Sequence, residues 1–195
     1  MRQPSNPLSA SPSRRRFLGT TALSLAALTL GCSRDSAASA GARPLPKQVR
    51  IVEFADDGKR LRTATVSTVV KTDAQWKQQL SPLAFDVARR DGTERAFTGP
   101  LNHEKRRGVF RCIGCGTALF DSNTKFDSGT GWPSFWQPIA KENVVETSDS
   151  TLGMVRTEVS CRRCDSHLGH VFDDGPRPTG LRYCMNSVSL SFSPA

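Results

Sequence analysis

The sequence predicts a mainly β fold of antiparallel strands, and three observations carry that expectation. From Gly108 onward, short β-type runs such as 155–159, 171–172 and 187–192 are punctuated by Gly, Asp, Pro and Ser. Short strands with frequent turns read as an antiparallel sheet fold. Two C-x-x-C knuckles, Cys112 with Cys115 and Cys161 with Cys164, lie 45 residues apart within that region. Helical patterning, by contrast, is confined to the stretch between Thr72 and Gly92.

Taken in order, residues 1–31 come first. Ser13-Arg14-Arg15-Arg16-Phe17-Leu18 precedes a weakly apolar run from Gly19 to Gly31. A basic n-region before a short h-region resembles a twin-arginine export signal. A membrane-spanning anchor is disfavoured, because about 15 residues containing three threonines and a serine fall short of a ~30 Å hydrocarbon core. Two cleavage readings stay open. Leu28-Thr29-Leu30-Gly31-Cys32 resembles a lipoprotein box, with Thr29 where such boxes usually carry Leu, and would place a lipid anchor on Cys32. Ala38-Ser39-Ala40 instead suits ordinary signal peptidase. Either way Cys32 is not a catalytic thiol, being lipidated in one reading and removed in the other. The expected location is outside the cytoplasm, periplasmic or membrane-anchored as a lipoprotein.

Residues 32–46 are rich in Ser, Ala, Gly and Pro without apolar period, a linker. Residues 47–195 form the single expected domain, of ordinary size. Residues 51–54 and 65–70 have strand-like content. Thr72-Asp73 marks a helix start, with Trp76 and Leu80 four apart on one face. Ser81-Pro82 interrupts that helix, residues 85–88 resume it, and Asp91-Gly92 closes it.

The net charge of +9 suggests nucleic acid at first sight. The first forty residues, however, hold five arginines and one aspartate, and without them 22 basic residues face 17 acidic ones. Those bases are scattered rather than massed in one stripe, so no nucleic-acid partner is expected.

The knuckles place two thiolates on each of two tight turns, and four sulfurs suit one tetrahedral zinc with bonds near 2.3 Å. Gly116, after the first knuckle, allows a turn whose amides face the sulfurs. Two structural disulfides in an exported protein or a redox dithiol are the alternatives, although neither pair has the βαβ setting of a thioredoxin-like site. A metal held by Cys112, Cys115, Cys161 and Cys164 has no open position, so it is structural.

Cys184 is the thiol left over. It lies in Gly180-Leu181-Arg182-Tyr183-Cys184-Met185-Asn186-Ser187, with His167 and His170 upstream in His167-Leu168-Gly169-His170-Val171-Phe172, a candidate nucleophile of the Cys/His kind. Around Gly169 the two histidines are expected to lie close together rather than alternate. Asn186, two residues past Cys184, points the same way if both are on a strand. His103, beside Glu104 and Lys105, is taken as an ordinary surface histidine. In Phe126-Asp127-Ser128-Gly129-Thr130-Gly131-Trp132-Pro133-Ser134-Phe135-Trp136, Phe126 and Phe135 suit the core, while the glycine-flanked loop and Trp132 suit a pocket for a small apolar group such as a methyl thioether.

These stretches, with Lys125 to Phe135 and Pro178 to Ser187, resemble peptide-methionine (R)-S-oxide reductase, the B type of methionine sulfoxide reductase, over about residues 50–193. The resemblance implies two antiparallel sheets with a few short helices near the start, and one structural zinc on the side away from the active site. It implies that His167, His170 and Asn186 hold and protonate the sulfoxide oxygen and that Trp132 packs against the substrate methyl. The chemistry agrees, since breaking a sulfur–oxygen bond needs a thiolate together with an acid. Cys184 would attack the sulfoxide sulfur, methionine would leave, and Cys184 would become a sulfenic acid. A cationic imidazole nearby favours the thiolate. Which histidine is the acid stays open, with His170 favoured. Many members of the family carry a resolving cysteine where this chain has Thr130. The sulfenic acid is therefore expected to meet an external reductant, a thioredoxin-like protein or small thiol. The expected partners are oxidised proteins or peptides containing methionine-R-sulfoxide, with the chain acting as a monomer. Two rivals remain, a non-catalytic zinc-binding module recognising oxidised or partner proteins and a Cys/His acyl-transfer hydrolase.

Overall fold

The first described elements make a hairpin, β1 (Gln48–Phe54) and β2 (Arg60–Ser67), paired antiparallel. A computed structural model describes residues 45–149 and 156–195. The expected signal segment 1–31, Cys32 and the expected linker up to residue 44 lie outside the described residues, as does Val155. The described residues belong to one unit, Arg43–Ala195.

Two helices follow, α1 (Asp73–Gln79) and α2 (Pro82–Arg90). The start of α1 is a capping box: the Thr72 hydroxyl accepts from Gln75 N at 3.3 Å, and the Gln75 amide oxygen accepts from Thr72 N at 2.9 Å. Each arm satisfies one amide that a helix start leaves unpaired. Trp76 and Leu80 are both buried, as their spacing predicts. Ser81-Pro82 begins a second helix rather than merely breaking the first. The Ser81 hydroxyl accepts from Ala84 N at 3.2 Å and Pro82 occupies the first turn, where its missing N–H costs nothing. Asp91, not Gly92, takes the left-handed position that ends α2, with φ +55°.

The rest is sheet: β3 (Gly108–Cys112), β4 (Ala118–Asp121), β5 (Lys125–Phe126), β6 (Ser134–Phe135), β7 (Val144–Asp149), β8 (Arg156–Cys161), β9 (His167–Phe172), β10 (Arg182–Met185) and β11 (Leu190–Pro194). A six-stranded sheet runs in the order β5-β6-β10-β9-β8-β7, and a three-stranded one in the order β11-β3-β4. All the pairings are antiparallel. The mainly β expectation holds, with the β1–β2 ribbon added to the two principal sheets. That ribbon is pinned by the buried Asn143 side chain. Its oxygen accepts from Val52 N at 2.8 Å, and its nitrogen donates to Val52 O at 2.8 Å and Ala118 O at 2.7 Å. One amide side chain thus substitutes for strand pairing where the ribbon meets the body.

Between the sheets the core is aromatic. Phe120 stacks on Phe135 at 4.4 Å, and Phe110 meets Phe135 edge-on at 4.9 Å. Burying each such ring contributes about 2–3 kcal/mol. Phe135 is fully buried as expected, whereas Phe126 is only half-buried, because β5 is a two-residue edge strand. Residues 187–192 do not form one continuous strand. A 3-10 turn, Ser187–Ser189, precedes β11, because the buried Glu94 carboxylate takes the amides of Ser187 (2.6 Å) and Val188 (3.0 Å).

Candidate active site and metal centre

The two knuckles are built alike, atom for atom. Cys112 N donates to Thr117 O at 2.9 Å and Cys161 N to Ser166 O at 2.9 Å; Gly116 N donates to Cys112 O and Asp165 N to Cys161 O, each at 2.8 Å. Gly116 (φ +72°) and Asp165 (φ +55°) occupy the same left-handed position. A hydroxyl touches the second sulfur of each knuckle, Thr117 Oγ1 with Cys115 Sγ at 3.1 Å and Ser166 Oγ with Cys164 Sγ at 3.2 Å. The knuckles face each other, with Cys112 Sγ 3.5 Å from Cys164 Sγ and Cys115 Sγ 3.5 Å from Cys161 Sγ. All four sulfurs lie within 4.8 Å of one another. These spacings exceed a disulfide bond of about 2.05 Å and bracket the roughly 3.8 Å between sulfurs bound tetrahedrally to zinc. Hydrogen bonding from Cys112 pulls the Cys115 and Cys164 thiols down. The Cys112 and Cys161 thiols are shifted up instead, so the protons of the cluster are shared unequally, and metal binding would displace them. The donor set fits one zinc ion.

Cys184 sits elsewhere, on β10, with Ser134 of β6 opposite on one side and His170 of β9 opposite on the other. Residues directly opposite on antiparallel strands share a face of the sheet, so the Cys184 thiol and the His170 imidazole are neighbours. Gly169 makes this close pairing possible: a Cβ there would stand 2.1 Å from Cys184 O, and its φ is +154°. His167 and His170 do not alternate, and their rings meet edge-on at 5.4 Å.

Each imidazole is held by a carboxylate from another strand of the sheet, the adjacent β8 for His167 and β7, one strand further, for His170. His167 Nδ1 lies 2.8 Å from Glu158 Oε1, and His170 Nε2 lies 3.1 Å from Asp149 Oδ2, which also accepts from Arg156 Nη2 at 2.8 Å. The bond to His167 holds the Glu158 carboxyl below its ordinary range, and burial lowers the His170 imidazole. His167 is almost wholly buried, and its Nε2 has no hydrogen-bond partner among the described residues. A buried ring nitrogen without a partner is costly unless a ligand completes it.

The Thr130 hydroxyl is 3.8 Å from Cys184 Sγ and hydrogen-bonds Ser128 (2.8 Å), which in turn bonds Ser134 (2.7 Å). Trp132 Nε1 donates to Glu94 O at 3.1 Å. Asn186 lies one residue beyond β10, and its side chain is committed: Oδ1 accepts from Glu94 N at 3.0 Å and Nδ2 donates to Leu168 O at 3.2 Å. His103 is exposed on a loop.

Sequence reasoning passed over four groups here. Arg182 forks onto Asp174 with bonds of 2.8 and 2.9 Å, lies 4.3 Å over the Phe172 ring and interacts electrostatically with Cys184. Its two-residue spacing from Cys184 on a strand was the available signal. Glu158, Asp149 and Glu94 reach the site from other elements, and no local pattern announces them.

A family model described as the SelR domain matches residues 80–194. A peptide methionine sulfoxide reductase MsrB of Pseudomonas putida (strain W619) is 60% identical over 124 residues, covering 64% of this chain and 93% of that protein. The protein of the same name from Thiobacillus denitrificans is also 60% identical over 124 residues, covering 64% of this chain and 94% of that protein. That of Bradyrhizobium diazoefficiens is 52% identical over 130 residues, covering 67% of this chain and 94% of that protein.

Proposed function

Because this chain belongs to the SelR domain family and is a methionine sulfoxide reductase, we propose that it reduces the R epimer of peptide-bound methionine sulfoxide through Cys184. The observation that carries this reading is the separation of its thiols. Four of the five described cysteines stand in one cluster, and the fifth, half-buried, lies between a histidine and a hydroxyl.

The Cys184 thiolate attacks the sulfoxide sulfur while a protonated imidazole gives its proton to the sulfoxide oxygen. The sulfur–oxygen bond breaks and oxygen passes to the cysteine, leaving methionine and a sulfenic acid. The Cys184 sulfur is oxidised by two electrons and the substrate sulfur reduced by two. His170, directly opposite Cys184, is the proton donor; His167, fixed by Glu158, turns Nε2 toward the oxygen, and Asn186 supports the same pocket wall. Trp132, whose indole N–H is tied to Glu94 O, packs against the substrate methyl. The Arg182 charge beside Cys184 suits an anionic sulfur. Two external thiols then return the sulfenic acid to thiol, releasing water and a disulfide. Thr130 can make no disulfide, so the reductant is external, and a thioredoxin-like protein has the right chemistry.

Cys112, Cys115, Cys161 and Cys164 would hold one zinc, which when bound ties β3 to β8 and contributes folding energy. Export by a twin-arginine route belongs to the same reading and rests on residues 13–31, with either a lipid on Cys32 or cleavage after Ala40. Mass spectrometry of the mature N-terminus separates those two outcomes.

The function is tested with peptides carrying each epimer of methionine sulfoxide plus dithiothreitol. Turnover of the R epimer alone, lost by more than about 10³-fold in Cys184→Ser, is expected, since no second nucleophile is at hand. Turnover of the S epimer, or full activity in Cys184→Ser, would refute it.

A further inference from the structure

Phe97 lies in the loop between α2 and β3 and combines two properties that seldom occur together. The residue is 63% exposed, and its backbone has φ +67°, a left-handed conformation disfavoured for a bulky residue. An exposed ring gains little from burial, so core stability gives no account of it.

The surroundings hold the residue there firmly. Phe97 N donates to Gly131 O at 2.8 Å, and Trp132 Nε1 donates to Glu94 O. Glu94 in turn holds Asn186 through its backbone and Ser187 and Val188 through its carboxylate. The ring rests directly on Gly131, where a Cβ would stand 2.7 Å from Phe97 Cδ2. Gly131 separates Thr130, in contact with Cys184 Sγ, from Trp132. An unfavourable backbone held by this many contacts beside a reactive sulfur suits a functional role.

We propose that Phe97 is a specificity-determining residue, an aromatic platform for the apolar side chain next to methionine sulfoxide in a polypeptide substrate. This rests on the reading of Cys184 as the reductase nucleophile. With the methyl thioether packed against Trp132, the neighbouring residue of the polypeptide passes over Gly131, where Phe97 offers a fixed ring face. A rigid aromatic gives contact area with little side-chain ordering on binding.

The test compares kcat/KM on two pentapeptides with central methionine-R-sulfoxide, one flanked by leucine and one by glycine, for the zinc-loaded wild type, Phe97→Ala and Phe97→Gly. The wild type should prefer the leucine peptide by about tenfold, the size of one aromatic contact, and both variants should lose that preference. Phe97→Gly should melt no lower than wild type, because glycine adopts positive φ without strain. A preference unchanged in both variants, or a fall of more than about 4 °C in the Phe97→Gly melting temperature, would overturn the proposal. No turnover of either peptide by the wild type would overturn the reductase reading and this inference with it, whereas equal wild-type turnover of both would overturn the inference alone.

Discussion

The knuckle cluster and the Cys184 site both place hydroxyls beside cysteine sulfur, yet they differ in how many sulfurs stand together and in what titratable groups are within reach. In the cluster, Cys112, Cys161 and Cys164 are buried and Cys115 half-buried, each sulfur has other sulfurs and a backbone turn around it, and the four close on one another. Cys184 is half-buried on a strand, and what faces it is titratable or polar: His170, Thr130 and Arg182. A closed set of four thiolates leaves a metal no vacant position. A single thiolate with a proton donor beside it leaves room for a substrate. One element thus serves stability at one place and reactivity at another, according to the number of sulfurs and what else is within reach.

The largest expected effect separates the two by stability. Cys161→Ser removes one of four ligands, and structural zinc contributes on the order of 10 kcal/mol to folding, so the variant should lose its metal and unfold. Zinc content and circular dichroism check it. A Cys161→Ser protein that melts with the wild type would erase the distinction.

A smaller effect, about 1 kcal/mol, sharpens the other side. The Glu158 side chain remains 29% exposed, and solvent screening limits what its bond to His167 can add. Because that bond lowers the Glu158 carboxyl, its contribution is present above the unfolded glutamate value near 4.3 and is lost as pH falls through the lower folded value. Glu158→Gln should therefore be less stable than wild type at pH 7 while still holding one zinc, and the gap should narrow as pH falls below about 4. Denaturant titrations at a series of pH values measure this, and a gap that widened on acidification would reverse the sign argued here.

Much of this was legible in the chain. Thr72 with Gln75, and Trp76 with Leu80, announce α1 through local spacing, and the C-x-x-C pairs announce the cluster because ligand spacing is itself local. The histidines flanking Gly169 were legible for the same reason. The ribbon was half legible: both runs read as strands, but the Asp57-Gly58 turn joining them, a hairpin signal, went unused. What sequence could not supply were contacts fixed by register between strands. Glu158 reaches His167 from β8 and Asp149 reaches His170 from β7, pairings that depend on how three strands align. Asn186 would point with Cys184 if both lay on one strand, but β10 ends at Met185, and Glu94, 93 positions before Ser187, takes the amides of Ser187 and Val188.

The most direct test of the difference between the two sulfur environments is to treat the mature, zinc-loaded protein with one equivalent of methionine-R-sulfoxide peptide without reductant. A sulfenic-acid trap such as dimedone is then added, and each cysteine is mapped by mass spectrometry. A single adduct on Cys184, with Cys112, Cys115, Cys161 and Cys164 unmodified and zinc retained, is the predicted result. A disulfide between Cys184 and any knuckle cysteine, or an adduct on one of those four, would contradict it.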